Sequence, residues 1–269
     1  FNLGAIFQEL SDLQKAKECY EKVIEIDPNY RDAHYNLGIV FKELGEHQKA
    51  ISCYEKAIVI NPNYVNANNN LGVLFKELGE HQKAKECFEK AIEIDPNYAN
   101  AHNNLGTICQ ELGDDQKAKD YFEKAIEINP TYAAAHYNLG VTFKELEDYQ
   151  KAKECLKKAI EINPNYIKAH NILGIIFHEL GEHQKAKDCY KKVIEMNPDS
   201  FDALSNLASI YVSRLTDFEI AISKSNEALK ISHKNYKFIN QSIPLFKLKH
   251  DIEQANYLNS KNYKINGID

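Results

Sequence analysis

The sequence predicts an all-α solenoid of stacked helical hairpins, and three observations predict it. The tripeptide NLG occurs at 2–4, 36–38, 70–72, 104–106 and 138–140, followed by ILG at 172–174 and NLA at 206–208, so every step is 34 residues. The same interval links Ala16, Ala50, Ala84, Ala118, Ala152 and Ala186, and then Pro28, Pro62, Pro96, Pro130, Pro164 and Pro198. Between these landmarks each interval holds two stretches with helical apolar spacing. A self-similar period of this length is the signature of stacked units that share one distributed core.

The elements follow in chain order. In the unit starting at Val65, VNANNNLGVLFKELG forms helix A, EHQKAKECFEKAIEI forms helix B, and DPNY is the turn. Gly79 sits where a left-handed C-cap is needed, and Pro96 stops helix B. Acidic-to-basic pairs four apart (Glu86 with Lys90, Asp120 with Lys124, Glu154 with Lys158, Asp188 with Lys192) are expected to support helix B from outside. The units are a truncated repeat at 1–30, full repeats at 31–64, 65–98, 99–132, 133–166 and 167–200, and a degenerate repeat at 201–235. Ala221 and Ala228 land one residue late, which implies an insertion near Arg214–Asp217, and His233 occupies the proline slot. In 236–269, Leu245, Leu248, Ile252, Ala255 and Leu258 recur at helical spacing, as expected of a capping or linker helix.

Composition excludes several classes. A formal charge of −6 and a pI near 6.0 leave no basic surplus for a nucleic-acid backbone. No 18-residue apolar run or secretory signal is present, so neither a membrane span nor secretion is expected. The chain opens at Phe1 inside a repeat, as expected of an array that continues upstream.

The pattern resembles the tetratricopeptide repeat (TPR) family. With position 1 at Arg31, the TPR signature is met by His34, Leu37, Gly38, Phe41, Ala50, Tyr54, Ala57 and Pro62 at positions 4, 7, 8, 11, 20, 24, 27 and 32. The resemblance covers nearly nine-tenths of the chain and implies a right-handed superhelix. Position 4 is His in most units and Asn68 in one.

At about 100° per residue, positions 3, 4, 7, 10, 11 and 14 of helix A share a packing face. In the 65–98 unit these are Ala67, Asn68, Leu71, Leu74, Phe75 and Leu78. Positions 2, 5, 6, 9, 12 and 13 lie opposite, on the face that lines the concave groove of TPR proteins. Position 6 reads Asn2, Asn36, Asn70, Asn104, Asn138, Ile172 and Asn206. A carboxamide carries donor and acceptor together, matching the N–H and C=O of an extended peptide. The row is similar to the asparagine ladder inside the TPR superhelix of O-GlcNAc transferases; the same letters also follow from TPR consensus, where Asn fills the slot before Leu. The peptide-binding candidates are therefore Asn36, Asn70, Asn104, Asn138 and Asn206. Tyr35, Asn69, Asn103, Tyr137 and Asn171 join them at position 5, and Lys42, Lys76 and Lys144 at position 12. The lysines, each beside a glutamate at position 13, also fit a solvated rim. The carboxylate clamp of chaperone-binding TPR domains is incomplete: beyond the position-6 asparagines only Lys168, at position 2, fits it.

Five of six cysteines (Cys19, Cys53, Cys87, Cys155, Cys189) share position 23, and Cys109 lies in a helix A. Equivalent points in successive units lie too far apart for a disulfide, so free thiols and a reducing, intracellular compartment, the cytoplasm first, are expected. No CxxC or HxxxH motif suggests a metal, and like groups repeating once per unit do not converge as an active site must. No cofactor is expected. The sequence thus points to a non-enzymatic interaction module that binds a protein or peptide; the alternative is the substrate-recruiting arm of a larger enzyme, such as a glycosyltransferase. An RNA-reading helical repeat is disfavoured by the period and the acidic balance. Oligomeric state and ligand identity are open.

Overall fold

The computed structural model describes residues 1–212. Among them are thirteen α-helices and no strand: α1 (Asn2–Glu9), α2 (Leu13–Ile26), α3 (Arg31–Glu43), α4 (His47–Ile60), α5 (Val65–Glu77), α6 (His81–Ile94), α7 (Ala99–Glu111), α8 (Asp115–Ile128), α9 (Ala133–Glu145), α10 (Tyr149–Ile162), α11 (Ile167–Glu179), α12 (His183–Met196) and α13 (Phe201–Val212). Odd-numbered helices are helix A of each repeat and even-numbered ones helix B. The expected insertion near 214–217, the rest of the degenerate repeat and the 236–269 segment lie outside the described residues.

The chain divides into two compact units, Phe1–Asp148 and Tyr149–Asp269. In the first, each helix A packs on its own helix B, and each helix B packs on the next helix A, from α1 through α9. In the second, α10, α11, α12 and α13 pack in the same succession. This is the all-α repeat architecture that the 34-residue period predicts.

The core is built from the landmarks. Leu37, Leu71, Leu105, Leu139 and Leu173 are all buried, as expected, and the alanines at positions 3 and 20 are wholly enclosed. Where position 24 is aromatic (it is Leu156 in the 133–166 repeat), the glycine at position 8 faces that ring. A Cβ on Gly38, Gly72, Gly106 or Gly174 would lie 2.7, 2.7, 2.6 or 2.6 Å from Cε1 of Tyr54, Phe88, Phe122 or Tyr190, so a side chain there would displace the ring.

Each A-to-B turn is a Schellman cap. In the 65–98 repeat, Glu80 N–H donates to Phe75 C=O (2.8 Å) and Gly79 N–H to Lys76 C=O (3.0 Å), with Gly79 at φ +76°. Glu147 adopts the same conformation (φ 61°) and makes the same bonds, despite its Cβ. The leucine before this residue is the C-cap. Leu44, Leu78, Leu112, Leu146 and Leu180 are therefore 38–64% exposed, which corrects the placing of position 14 on the packing face: the chain leaves the helix there and turns the side chain outward.

The B-to-A turn is an Asx turn. The side chain of Asp27, Asn61, Asp95, Asn129, Asn163 and Asn197 accepts from the N–H two residues on, at 3.0–3.3 Å. The position-4 histidine locks the turn to helix A. Nε2 of His34, His102, His136 and His170 lies 2.9–3.0 Å from the carbonyl of the proline six residues earlier, which can only accept, so Nε2 carries the proton. Asn68 substitutes by donating to Tyr64 C=O at 3.0 Å.

The expected four-apart pairs on helix B are also corrected. The acids accept from Gln82, Gln116, Gln150 and Gln184, four residues earlier, and Lys90, Lys124, Lys158 and Lys192 turn forward to the glutamate three residues on. These contacts are exposed and contribute at most about 0.5 kcal/mol each.

None of the six cysteines is in a disulfide, and all are half-buried. Burial, with nearby carboxylates adding to it, pushes the thiols of Cys53 and Cys87 up to about 11 and about 12. Burial, with Asp188 adding, raises Cys189 to about 11. A rise of two units lowers the thiolate fraction near pH 8 roughly a hundredfold.

Two outcomes are expected. Replacing Glu147 by Gly removes the left-handed penalty of a non-glycine residue and should stabilise the chain by about 1 kcal/mol, whereas Gly79→Ala should destabilise it by a similar amount. Urea midpoints followed by circular dichroism measure both; an unmoved midpoint for Glu147→Gly would show the residue to be unstrained. A disulfide-exchange reagent at pH 8 should label Cys53 and Cys189 roughly a hundredfold, and Cys87 roughly a thousandfold, more slowly than the unfolded chain, and denaturation without reductant should release six thiols.

Candidate peptide-binding face

Helix A carries positions 5 and 6 side by side, and the fold brings position 6 of one repeat against position 5 of the preceding one. Asn70 Nδ2 donates to Tyr35 Oη at 3.0 Å, Asn104 Nδ2 to Asn69 Oδ1 at 2.9 Å, and Asn138 Nδ2 to Asn103 Oδ1 at 2.9 Å. Asn69 Nδ2 also reaches Asn70 Oδ1 at 3.4 Å. A relay thus runs Asn104 to Asn69 to Asn70 to Tyr35 across three repeats of the first unit.

This arrangement corrects two expectations. Asn69 and Asn103, read as lining the groove, are only 6% and 7% exposed, because the amides of the next repeat close over them. The position-6 amides, expected to offer donor and acceptor to a peptide, commit one N–H to the preceding helix A at Asn70, Asn104 and Asn138, which gives these three a structural role as well. What Asn104 and Asn138 leave open is their second N–H and their carbonyl oxygen. The Asn36 side chain forms no hydrogen bond among the described residues; the position-5 residue before it is Phe1, whose ring has no acceptor. The position-6 side chains of Asn36, Asn70, Asn104 and Asn138 are all half-exposed.

The second unit departs from this pattern. Ile172 stands where the amide would be, and Asn171 Oδ1 is buried without a hydrogen-bond partner among the described residues. Asn206 is half-buried.

Aromatic and charged groups border the row. Tyr35 and Tyr137 are half-buried, and burial raises both phenols above their ordinary range. The Tyr35 ring packs on Tyr64 with centroids 5.0 Å apart. Of the position-12 lysines, Lys42 pairs with Glu77 of the next repeat at 2.8 Å and Lys144 with Glu145 at 3.2 Å. Lys76 has no ion-pair partner among the described residues. Gln110, the fourth member of that row in the first unit, donates to Thr142 Oγ1 at 3.3 Å. His81 Nδ1 lies 3.4 Å from Glu111 Oε2.

One set of border residues escaped the sequence reading. Two of the tyrosines that end the DPNY and NPNY turns return to position 2 of their own repeat: Tyr64 Oη donates to Asp32 at 3.0 Å and Tyr98 Oη to Asn66 at 2.9 Å. The Arg31 guanidinium stacks 4.4 Å over the Tyr64 ring. The recurrence of this Tyr at position 34 was the available signal. Among the described residues no group of three or more His, Cys, Asp or Glu side chains could hold a metal, and no helix is long and apolar enough to cross a membrane.

Comparison with known proteins agrees with this architecture. The chain resembles MamA in crystal structure at 29% identity (60% of this chain, 95% of that one, TM-score 0.54). The fold is shared with PilF of Pseudomonas aeruginosa at 21% identity (80% and 97%, TM-score 0.71). It is shared also with YrrB, described as a TPR protein with an unusual peptide-binding site, at 23% identity (70% and 97%, TM-score 0.54). No curated protein matches the chain. Tetratricopeptide repeat models match residues 32–64, 64–131, 133–166, 167–200 and 189–230, a TPR repeat model matches 4–45, and the chain belongs to the tetratricopeptide repeat family.

Proposed function

We propose that the chain is a protein-interaction module that holds an extended polypeptide segment along the helix-A face of its first unit, with Asn36, Asn70, Asn104 and Asn138 as rungs. The observation that carries this reading is the recurrence of a half-exposed amide once per repeat, fixed through one N–H at Asn70, Asn104 and Asn138, with hydrogen-bonding capacity left over. At Asn104 and Asn138 the remaining N–H and C=O are what a peptide unit needs in a partner.

The spacing favours a particular backbone. Helices in contact lie roughly 8–10 Å apart. A polyproline II segment rises about 3.1 Å per residue with three residues per turn, so equivalent peptide groups recur about every 9 Å on one side. It has no internal hydrogen bonds, which leaves those groups free for the rungs. Such a ladder would read backbone conformation at every third residue, and Tyr35, Tyr137 and Lys76 would contact the intervening side chains. A peptide-binding site on this fold, as described for YrrB, is consistent with that use.

Asn36→Ala provides the clean test, because this amide has no internal partner whose loss would disturb the fold. Binding of a segment selected on the wild-type chain should weaken about two- to tenfold, the equivalent of one neutral hydrogen bond, with an unchanged melting temperature. Joint replacement of Asn70, Asn104 and Asn138 by Ala should weaken every selected segment further. It should also lower stability, because it orphans the buried side-chain carbonyls of Asn69 and Asn103 at about 1–3 kcal/mol each. Unaltered affinity in both variants would refute the ladder.

A further inference from the structure

We infer that the position-5 side chains Tyr35, Asn69 and Asn103 are positioning residues for the ladder, with Asn69 as the hub that sets two rungs at once. The inference rests on the ladder reading and adds residues that do not themselves contact the bound segment at Asn69 and Asn103. Three hydrogen bonds of 2.9–3.0 Å run from a position-6 amide to the position-5 acceptor of the preceding repeat, and the acceptor's chemistry changes while the geometry does not: a phenol oxygen at Tyr35, an amide oxygen at Asn69 and Asn103. Asn69 is 6% exposed, accepts from Asn104 and donates to Asn70. Its place in the groove row is therefore filled by groups facing other protein groups.

The consequence concerns the rungs. An exposed Asn side chain rotates freely about χ1 and χ2, and binding must halt that rotation. A rung tied through one N–H already points its other N–H and its carbonyl in fixed directions, so a ligand meets a preorganised pair. Asn36, with no such tie, is the mobile rung of the row. Asn70, Asn104 and Asn138 are the ordered ones, and register along the groove is set by them.

The lattice itself supplies the control. Tyr stands at position 5 in the 31–64 and 133–166 repeats, so Asn69→Tyr offers Asn104 the acceptor that Tyr35 offers Asn70, whereas Asn69→Phe has similar bulk without the oxygen. The probe is a fluorescein-labelled peptide selected on the wild-type chain from a displayed random library. Asn69→Phe should weaken its binding about tenfold, with Asn69→Tyr within about threefold of wild type. In the unliganded protein, side-chain NH2 exchange at Asn104 should be faster in the Phe variant than in the Tyr variant. Tyr35→Phe removes a single hydroxyl from a native ring and makes the same comparison at Asn70 should either Asn69 variant fold poorly. Equal affinity and equal exchange for the hydroxyl-bearing and hydroxyl-free members of a pair overturn the positioning role while leaving the ladder intact. If instead Asn36→Ala and Asn104→Ala both leave the peptide's affinity unchanged, the ladder fails and the positioning role fails with it.

Discussion

The contact between a helix-A glycine and a helix-B ring governs the geometry of the repeat. A Cβ at Gly106 would lie 2.6 Å from Phe122, closer than real Cβ atoms come to any neighbour. Glycine in mid-helix costs about 1 kcal/mol against alanine. That cost is outweighed where the missing side chain lets a buried Phe or Tyr lie flat on the helix backbone, since fully burying such a ring contributes about 1.5–3 kcal/mol. Because the same contact recurs from hairpin to hairpin, the hairpins have nearly the same internal spacing. Hydrogen bonds between repeats require a donor and an acceptor 35 residues apart to meet within a few tenths of an ångström. Amide ties at 2.9–3.0 Å across successive repeats are possible only on so regular a scaffold.

Regularity also explains what the sequence showed and what it concealed. Identical letters at a fixed period specify the packing landmarks directly: leucine at position 7, alanine at positions 3 and 20, and the ring opposite glycine are all buried where the helical period puts them. The leucines at position 14 misled because a helical wheel assumes that the helix continues. At Leu78 it has ended, and the Schellman turn rotates the side chain into solvent. Charge pairs misled for a different reason, since each acid had two candidate donors within one turn and the glutamines took it.

The run Asn68-Asn69-Asn70 shows the limit most clearly. These three identical side chains do three jobs. Asn68 ties the turn at Tyr64, Asn69 receives the next repeat, and Asn70 reaches back to the preceding repeat with its remaining groups near the surface. A helical wheel places Asn68 apart from the other two, yet Asn69 is as covered as Asn68. It cannot separate positions 5 and 6, because which of two adjacent amides is covered depends on the offset between repeats. That offset is a three-dimensional quantity, set where each helix B packs on the next helix A. Position 5 is the more buried of the two at Asn69 and Asn103, and position 6 stays half-exposed.

The row of acceptors beneath the amides is uneven, and this has a physical consequence for recognition. Moving along the first unit, position 5 is Phe1, Tyr35, Asn69 and Asn103, so the amides that follow are unheld at Asn36, held by a phenol at Asn70, and held by amides at Asn104 and Asn138. A uniform ladder would grip an extended chain equally well in several registers, because backbone contacts carry no side-chain information. A graded one does not. Ordered rungs demand less lost rotamer entropy than mobile ones, so on the proposed ladder a segment would gain most by centring on Asn104 and Asn138 and less toward Asn36. The neighbours are graded too, with Tyr35 beside Tyr64 at one end, Lys76 lacking an ion-pair partner among the described residues in the middle, and Tyr137 at the other end. Register selection of this kind would let a face built from one repeated amide favour one placement of a chain over the next, with the rungs holding backbone and their unequal supports deciding where it rests.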